Sequence, residues 1–434
     1  MPATTETNNT VLSAGARRYA MVILAIVYMF NFIDRQILAI LLPQIRDEFG
    51  ASDAYLGFLS GTAFALFYVT LGVPIAQYAD RCNRRNLIAA AVALWSAMTA
   101  LSGLAVNIWQ LTAARIGVGI GEAGCSPPAH SMIADYFPPE KRSTAMGFYT
   151  LGISAGIMMA YLAGGWVAQN IGWREAFFIV GVPGLVLALI VRFTLKEPQR
   201  GASESRESLG EHEHPRLVEV MRFLLARKSF IHMAIGAGLT SFVGYAVISF
   251  MPSFMVRSFN MEIASLGRWL GLILGISGGA GFFLGGYIAD HLGRGSHRKA
   301  LNFVAVMMII SAVLSAMMLT AETSTMALLL FILPAATMNV YLAPVLSQAQ
   351  SLVALRMRAT TSALILLIIN LIGLALGPLI TGALSDALVP RFAEESMRYS
   401  LLIVTLVVLP WAVVHFYRAG KWIDGDLARA TESD

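Results

Sequence analysis

Charged residues are scarce in this chain. Only 13% of its 434 residues are Asp, Glu, Lys or Arg, whereas 57% are hydrophobic, and a soluble domain carries roughly 25% charged residues. This deficit argues strongly against a soluble multidomain protein and indicates a polytopic membrane protein. The chain also has only two cysteines, Cys82 and Cys125, which lie far apart and predict neither a disulfide framework nor a metal site.

Several other signals are missing. Residues 1–16 are polar and lack the apolar core of a signal peptide. There is no zinc motif, no nucleotide-binding loop and no Gly-x-Ser-x-Gly nucleophile. A formal dinucleotide fingerprint at 119–124 lies inside an apolar helix with no preceding strand, so we expect its glycines to allow close helix packing. These absences predict no cofactor, no metal and no enzymatic activity.

Apolar windows recur along the whole chain and predict an all-α membrane protein. An even number of spans puts both termini on one side, and the loops on that side carry most of the Lys and Arg. The net charge of +5 therefore does not require nucleic acid as a partner, and the positive-inside rule predicts cytoplasmic termini. We expect a multi-pass protein of the inner membrane if the source is bacterial. The twelve predicted spans are 18–43, 55–79, 86–106, 108–135, 143–169, 174–195, 229–256, 263–290, 299–320, 324–352, 358–387 and 398–418.

One long loop divides the spans six and six. Its second part, after Pro215, has apolar residues at helical spacing, which predicts a short amphipathic helix on the inner membrane surface; a simple tether is the alternative. The predicted domains are a cytoplasmic tail at 1–17, a six-helix bundle at 18–195, a cytoplasmic linker at 196–228, a second six-helix bundle at 229–418 and a cytoplasmic tail at 419–434.

An internal repeat supports this division. The segment at 76–85 follows the second span, and a similar segment at 286–294 follows the eighth, at an offset of 210 residues. Both resemble G-x-x-x-D-R-x-G-R-[RK], the signature of the major facilitator superfamily, with departures at Ala76, Asn83 and His291. The resemblance covers essentially the whole chain and implies two pseudo-symmetric six-helix bundles that form a monomer.

The same resemblance implies a role for the repeated motif. In the superfamily it latches the two halves together when the cytoplasmic side is closed. A basic loop that only orients the protein in the membrane is the alternative. The residues implied in this cytoplasmic gate are Asp80, Arg81, Arg84, Arg85, Asp290 and Arg294.

Two spans of the first half contain charges where a charge is costly. Asp34 and Arg35 interrupt the apolar run of span one, and Arg115 and Glu122 lie in span four, seven residues apart and hence on nearly the same helix face. At 1.5 Å of rise per residue, Asp34 and Arg115 lie roughly 13 and roughly 12 Å from the same membrane surface. We therefore expect these two to be partners, with Glu122 deeper.

These charges carry a second, narrower resemblance. The run Asn31-Phe-Ile-Asp34-Arg35, together with Arg115 and the Gly-Glu122-Ala segment, is similar to the Spinster family of lipid-related transporters. The resemblance implies a sphingolipid- or lysophospholipid-like substrate.

The charges also predict a coupling mechanism. A buried carboxylate beside an arginine stays ionised, whereas one without a partner tends to take a proton. An anionic head group on Arg35 or Arg115 would therefore free Asp34 or Glu122 to bind a proton. Arginine suits this task because its fork binds phosphate and carboxylate with two hydrogen bonds. A static salt-bridge network between two helices is the alternative.

The second half has almost no charge in the middle of spans seven, ten and eleven. A cavity charged on one wall and apolar on the other suits an amphiphile, so we expect an amphiphilic small molecule, protons and membrane lipids as partners. Drug exporters show the same asymmetry, which leaves a transporter of organic anions or drugs as an alternative; a membrane enzyme acting on lipids is a further one. Besides the two arginines, the expected substrate contacts are Asn31, Tyr245, Asn339 and Asn370.

Overall fold

The computed structural model describes residues 13–79, 81–200, 217–293, 296–354 and 357–431. Within these ranges every regular element is a helix. Ten helical stretches of the described chain are long and apolar enough to cross a membrane, and the last of them, Thr360–Arg429, spans more than one helix.

The described residues of the first half form eight α-helices. The second predicted span is one helical stretch with a π-helical turn at Phe58–Thr62 between α2 and α3. The helices are α1 (Ala14–Phe49), α2 (Asp53–Gly57), α3 (Ala63–Ala79), α4 (Arg84–Ser102), α5 (Ile108–Glu122), α6 (Ser126–Tyr136), α7 (Pro139–Asn170) and α8 (Trp173–Thr194).

The described residues of the linker and the second half form ten further α-helices. π-Helical turns join α11 to α12 (Ile273–Ser277) and α16 to α17 (Ile369–Leu376), and a short 3-10 helix, Ala393–Glu395, precedes the last helix. The helices are α9 (Leu217–Leu225), α10 (Lys228–Phe259), α11 (Ile263–Leu272), α12 (Gly278–Gly293), α13 (His297–Leu319), α14 (Ser324–Thr337), α15 (Leu342–Ser351), α16 (Arg358–Ile368), α17 (Gly377–Phe392) and α18 (Ser396–Thr431).

Two predicted spans are broken helices. Span four is interrupted between α5 and α6, and Pro127 and Pro128 lie in the first turn of α6, where their missing N–H groups leave no intrahelical bond unmade. Span ten is interrupted in the same way between α14 and α15. Pro334 and Pro344 flank this second gap, which the sequence pattern did not predict.

The linker helix and the C-terminal tail both pack on the second half. α9 buries Val220 and Leu224 against α10 and α16 while Val218 stays exposed, so the helix is present and its place at the membrane surface stays a prediction. Residues 419–431, expected as a tail, continue α18. They are held by Asp426, whose carboxylate accepts hydrogen bonds from the backbone N–H (2.8 Å) and hydroxyl (2.7 Å) of Ser229.

Side-chain contacts define two sides of the molecule. At the start of α1, the hydroxyl of Tyr19 contacts that of Thr194 at the end of α8, at 2.5 Å. At the other end of the same helices, Arg174 donates a 2.6 Å hydrogen bond to Glu48. We call the side that holds the start of α1 the terminal side, and the opposite one the distal side.

The two halves meet mainly at the distal side. There α2 packs against α17, and α7 against α11. Glycines allow the backbones to approach closely: a Cβ atom on Gly165 of α7 would lie 2.8 Å from the carbonyl oxygen of Ile263 in α11. Among the described residues, contacts between the halves become sparse toward the terminal side, so the molecule is closed distally and the halves diverge terminally.

Candidate functional site

A buried ion pair lies at the centre of the first half. Arg35 of α1 donates two hydrogen bonds to one carboxylate oxygen of Glu122 in α5, from Nη2 at 2.6 Å and from Nε at 3.1 Å. The Glu122 side chain is fully buried and that of Arg35 is 8% exposed. The structure therefore joins spans one and four through this pair.

Aromatic rings hold the Arg35 guanidinium in place. Its central carbon lies 5.0 Å from the ring centre of Phe32, 4.7 Å from that of Phe64 and 5.0 Å from that of Tyr68. Such cation–π contacts stabilise an arginine without using its N–H groups. The hydrogen bonds to Glu122 use Nε and Nη2, so the fork retains Nη1 for other partners, and Tyr245 of the second half lies beside the guanidinium.

Asp34 and Arg115 are brought together, but not as a side-chain ion pair. Arg115 Nη1 donates a 3.0 Å hydrogen bond to the backbone carbonyl of Asp34, and both side chains are fully buried. The Asp34 carboxylate instead has Thr99 and Trp95 of α4 among its neighbours, and among the described residues neither of its oxygens has a hydrogen-bond partner. The expected pairing therefore holds for the two residues but not for their two charged groups.

Close helix packing places these groups side by side. A Cβ atom on Gly119 of α5 would lie 2.6 Å from the carbonyl oxygen of Phe64 in α3, and one on Gly121 would lie 2.7 Å from the backbone nitrogen of Trp95 in α4. The glycines of the 119–124 segment thus serve helix packing, as predicted. They hold α5 against α3 and α4, and Glu122 at the end of α5 meets Arg35 of α1.

The other expected substrate contacts are divided. Asn31 is buried beside Glu122, and Tyr245 of α10 reaches Arg35 from the second half. The side-chain amides of Asn339 and Asn370 each donate a 2.8 Å hydrogen bond to a carbonyl of their own helical segment. The described structure shows no contact between these two asparagines and the ion pair.

Arg84, expected in the cytoplasmic gate, has its partners within the first half. Its Nε donates to Glu197 at 2.8 Å and its Nη2 to the carbonyl of Pro198 at 2.9 Å, and Nη1 binds Asp135 of α6. The backbone N–H of Arg85 donates to Glu197 as well. In this conformation Arg84 ties α4 to α6 and to the chain after α8, because burial demands partners for all its donors.

The other gate residues that the structure describes make no hydrogen bond or ion pair across the halves. Arg81 and Asp290 are exposed at the terminal side, as expected where the halves diverge. Asp80 and Arg294 lie outside the described residues.

The main polar contact between the halves lies at the distal side and was not predicted. The fully buried Asp53 of α2 accepts two hydrogen bonds from Arg257 of α10, one of them 2.7 Å long, and a 2.7 Å bond from Ser385 of α17. Arg46 lies 3.7 Å away. The sequence offered only a weak signal, namely acids and bases at the ends of several spans.

Comparisons with known proteins agree with this architecture. Residues 24–378 match the family model of the Major Facilitator Superfamily. An "MFS-type efflux pump" of Mycolicibacterium smegmatis is 30% identical over 97% of both chains. "Protein spinster homolog 1" of Xenopus tropicalis is 29% identical over 89% of this chain and 77% of its own.

A solved structure gives the most detailed match. A bacterial homologue of the human lysosomal transporter Spinster, in an inward-facing and unoccupied conformation, is 32% identical, covers 96% of this chain and 99% of its own, and superposes with a TM-score of 0.87. The family consists of transporters rather than enzymes. The chain therefore belongs to the major facilitator superfamily and is a Spinster-like, multi-pass membrane transporter.

Proposed function

We propose that this chain is a proton-coupled secondary transporter that carries lysophospholipid- or sphingolipid-like amphiphiles by alternating access, as a monomer. The observation that carries the proposal is the buried Arg35–Glu122 ion pair beside an Asp34 carboxylate with no hydrogen-bond partner among the described residues. Charges at membrane depth are costly and are typical of substrate and proton pathways.

The proposal includes the membrane topology. The ten apolar stretches become twelve crossings when α5 and α6 count as one broken crossing and Thr360–Arg429 counts as two. The basic loops then place both termini, and the terminal side, in the cytoplasm. In this orientation the structure is closed to the outside and open to the inside.

The substrate anion and Glu122 compete for Arg35, so the anion and a proton bind together. An anionic head group that binds the free donors of Arg35 weakens the bond from Arg35 to Glu122, and the released carboxylate takes up a proton from water. The carboxylate has lost its charge partner and remains buried. Asp34, already without a hydrogen-bond partner, is the second proton site. One anion and one proton thus enter together, and the net charge of the site is unchanged.

The second half provides the apolar wall. Tyr245 lies beside Arg35, and spans seven, ten and eleven of the second half carry almost no charge in their middles. An acyl or sphingoid chain would pack on this side. Relatives named as spinster homologues support a lipid-like substrate.

A second candidate is the export of drugs or organic anions. The relative named as an efflux pump matches this chain over 97% of its length, and an arginine beside an apolar wall also suits lipophilic anions. The two candidates predict different substrates for the same site.

The test is flux into proteoliposomes that contain purified protein, with an imposed pH gradient. We expect accumulation of a fluorescent lysophospholipid in wild type and its loss in Arg35→Gln. Arg174→Gln is the matched control, because Arg174 also binds a glutamate and an aromatic ring but lies at the distal surface. Flux of lipophilic anions without lysophospholipid flux would favour the second candidate. A flux of the same size with and without the pH gradient would refute proton coupling.

A further inference from the structure

Two side chains cross between the halves at the distal side and bind main-chain N–H groups there. Asp386 of α17 accepts hydrogen bonds from the backbone nitrogens of Asp53 (2.9 Å) and Ala54 (2.8 Å) at the start of α2. Gln169 of α7 accepts one from the backbone nitrogen of Ala264 (2.7 Å) at the start of α11. Each half thus satisfies donors at the beginning of a helical segment of the other half.

The two donors occupy equivalent places in the repeat, and their acceptors lie on different residues of it. Ala54 and Ala264 are 210 residues apart, the offset that also relates the two copies of the sequence motif. The acceptors differ in chemistry, however. Asp386 is a half-buried carboxylate with two bonds, whereas Gln169 is an exposed neutral amide whose single acceptor bond is accompanied by a 3.2 Å bond from its Nε2 to Glu262.

This difference has an energetic consequence. Hydrogen bonds to an ionised acceptor are roughly twice as strong as those between neutral groups, and exposed bonds compete with water. Asp386 binds the main-chain N–H groups of α2, so its contribution to the stability of this contact is separate from that of the side-chain pair of Asp53 and Arg257. The contact of α2 with α17 is therefore stronger, in polar terms, than that of α7 with α11.

We propose that Asp386 is a positioning residue for distal closure. It holds the start of α2 against α17, so that the distal side opens first between α7 and α11. Opening breaks both contacts, but the Gln169 bond exchanges readily for water while the two Asp386 bonds hold longer. The proposal rests on alternating access but not on the identity of the substrate or the ion.

The test measures distances between spin labels in full-length protein reconstituted without substrate, at one pH, in a background without Cys82 and Cys125. One label pair at positions 47 and 394 reports on the α2–α17 contact. A second pair at 171 and 268 reports on the α7–α11 contact, and a third at 78 and 287 reports on the terminal side. All six positions are exposed.

We expect Asp386→Asn to lower the closed-to-open ratio at the first pair by roughly fivefold, because the neutral amide keeps one oxygen acceptor but loses the charge and one of the two hydrogen bonds. The terminal pair should move closer at the same time. Asp386→Glu keeps the charge and should restore part of the closed population, which a merely structural defect would not do.

The reciprocal variant acts in the opposite direction. Gln169→Glu supplies a carboxylate as the acceptor of the α7–α11 contact and should raise the closed population at the second pair. Repulsion between this carboxylate and Glu262 reduces the size of that increase. Gln169→Ala should change that pair less than Asp386→Asn changes the first.

Either of two results would overturn the inference. One is an Asp386→Asn protein that keeps wild-type distances at the first pair. The other is a wild type in which the first pair opens before the second. If thermal unfolding shows that Asp386→Asn does not fold, the order of opening in wild type and the distances in Gln169→Ala still test the proposal. Because no substrate is present, a failure here leaves the flux assay free to support or refute the proposed function.

Discussion

Replacing Glu122 by glutamine should tighten substrate binding and remove its pH dependence. In wild type an anionic head group must weaken the two hydrogen bonds from Arg35 to Glu122. Bonds to a charged group contribute about 1.5–3 kcal/mol, and neutral ones about 0.5–1.5 kcal/mol. With glutamine the competing acceptor carries no charge, so the ion-pair attraction to Arg35 is lost, while the aromatic rings around Arg35 are unchanged.

The expected size follows from this difference. A competitor weaker by about 1–2 kcal/mol makes the Kd of an anionic amphiphile about 5- to 30-fold lower. In wild type, binding takes up a proton, so the affinity should rise as the pH falls, by about tenfold per pH unit for one proton. In Glu122→Gln this slope should vanish, and proton-driven accumulation should be lost although the ligand still binds.

The assay is equilibrium binding of a lysophospholipid to purified protein between pH 5.5 and 8, together with proteoliposome flux. Glu48→Gln is the matched control, because Glu48 also binds an arginine on a neighbouring helix but lies exposed at the distal end of α1. If the Kd of Glu122→Gln depends on pH as steeply as that of wild type, the reasoning is refuted and Asp34 becomes the expected proton site. A weakened affinity would show that Glu122 contacts the substrate directly.

Three further predictions concern other parts of the molecule. Asp53→Asn removes the charged partner of the buried Arg257 and should destabilise the closed distal side by about 3–5 kcal/mol. Cysteines introduced at the distal ends of the helices should therefore react faster with impermeant thiol reagents, and unchanged reaction rates would contradict this role. Gly119→Val forces a side chain against α3 and should destabilise the protein by about 1–3 kcal/mol, measured as a lower unfolding temperature, whereas Gly147→Val, with open space at its Cβ position, should unfold like wild type. Tyr245→Phe removes one hydroxyl near Arg35 and should weaken anion binding by about 1 kcal/mol, roughly fivefold in Kd, with no change in the binding of an uncharged amphiphile; equal loss for both ligands would rule out a head-group role.

Much of the architecture could be read from local pattern. Hydrophobic runs predicted where helices lie, because the bilayer demands about 20 apolar residues and satisfies no backbone group. The repeated motif predicted two halves, and Pro127 with Pro128 lie in the first turn of α6, directly after the break in span four. The charged side chains of spans one and four were found because charge inside an apolar run is rare.

The pairing of those charges could not be predicted. Helical periodicity predicts the membrane depth and the helix face of Asp34, Arg35, Arg115 and Glu122. It does not predict which guanidinium binds which carboxylate. That choice depends on how α1 and α5 are rotated toward each other, and the glycines of α5 pack that helix against α3 and α4. The result is an Arg35–Glu122 pair, with Arg115 on a backbone carbonyl.

Sequence alone thus determined the membrane character, the all-helical class, the twofold repeat and the set of buried charges, because these depend on composition and spacing along one chain. Only the tertiary structure decided which charges pair, that Arg84 bonds within its own half, and that Asp53, Arg257 and Asp386 join the halves at the distal side. Those contacts link residues up to 333 positions apart, and their geometry follows from how separate helices dock rather than from any local pattern.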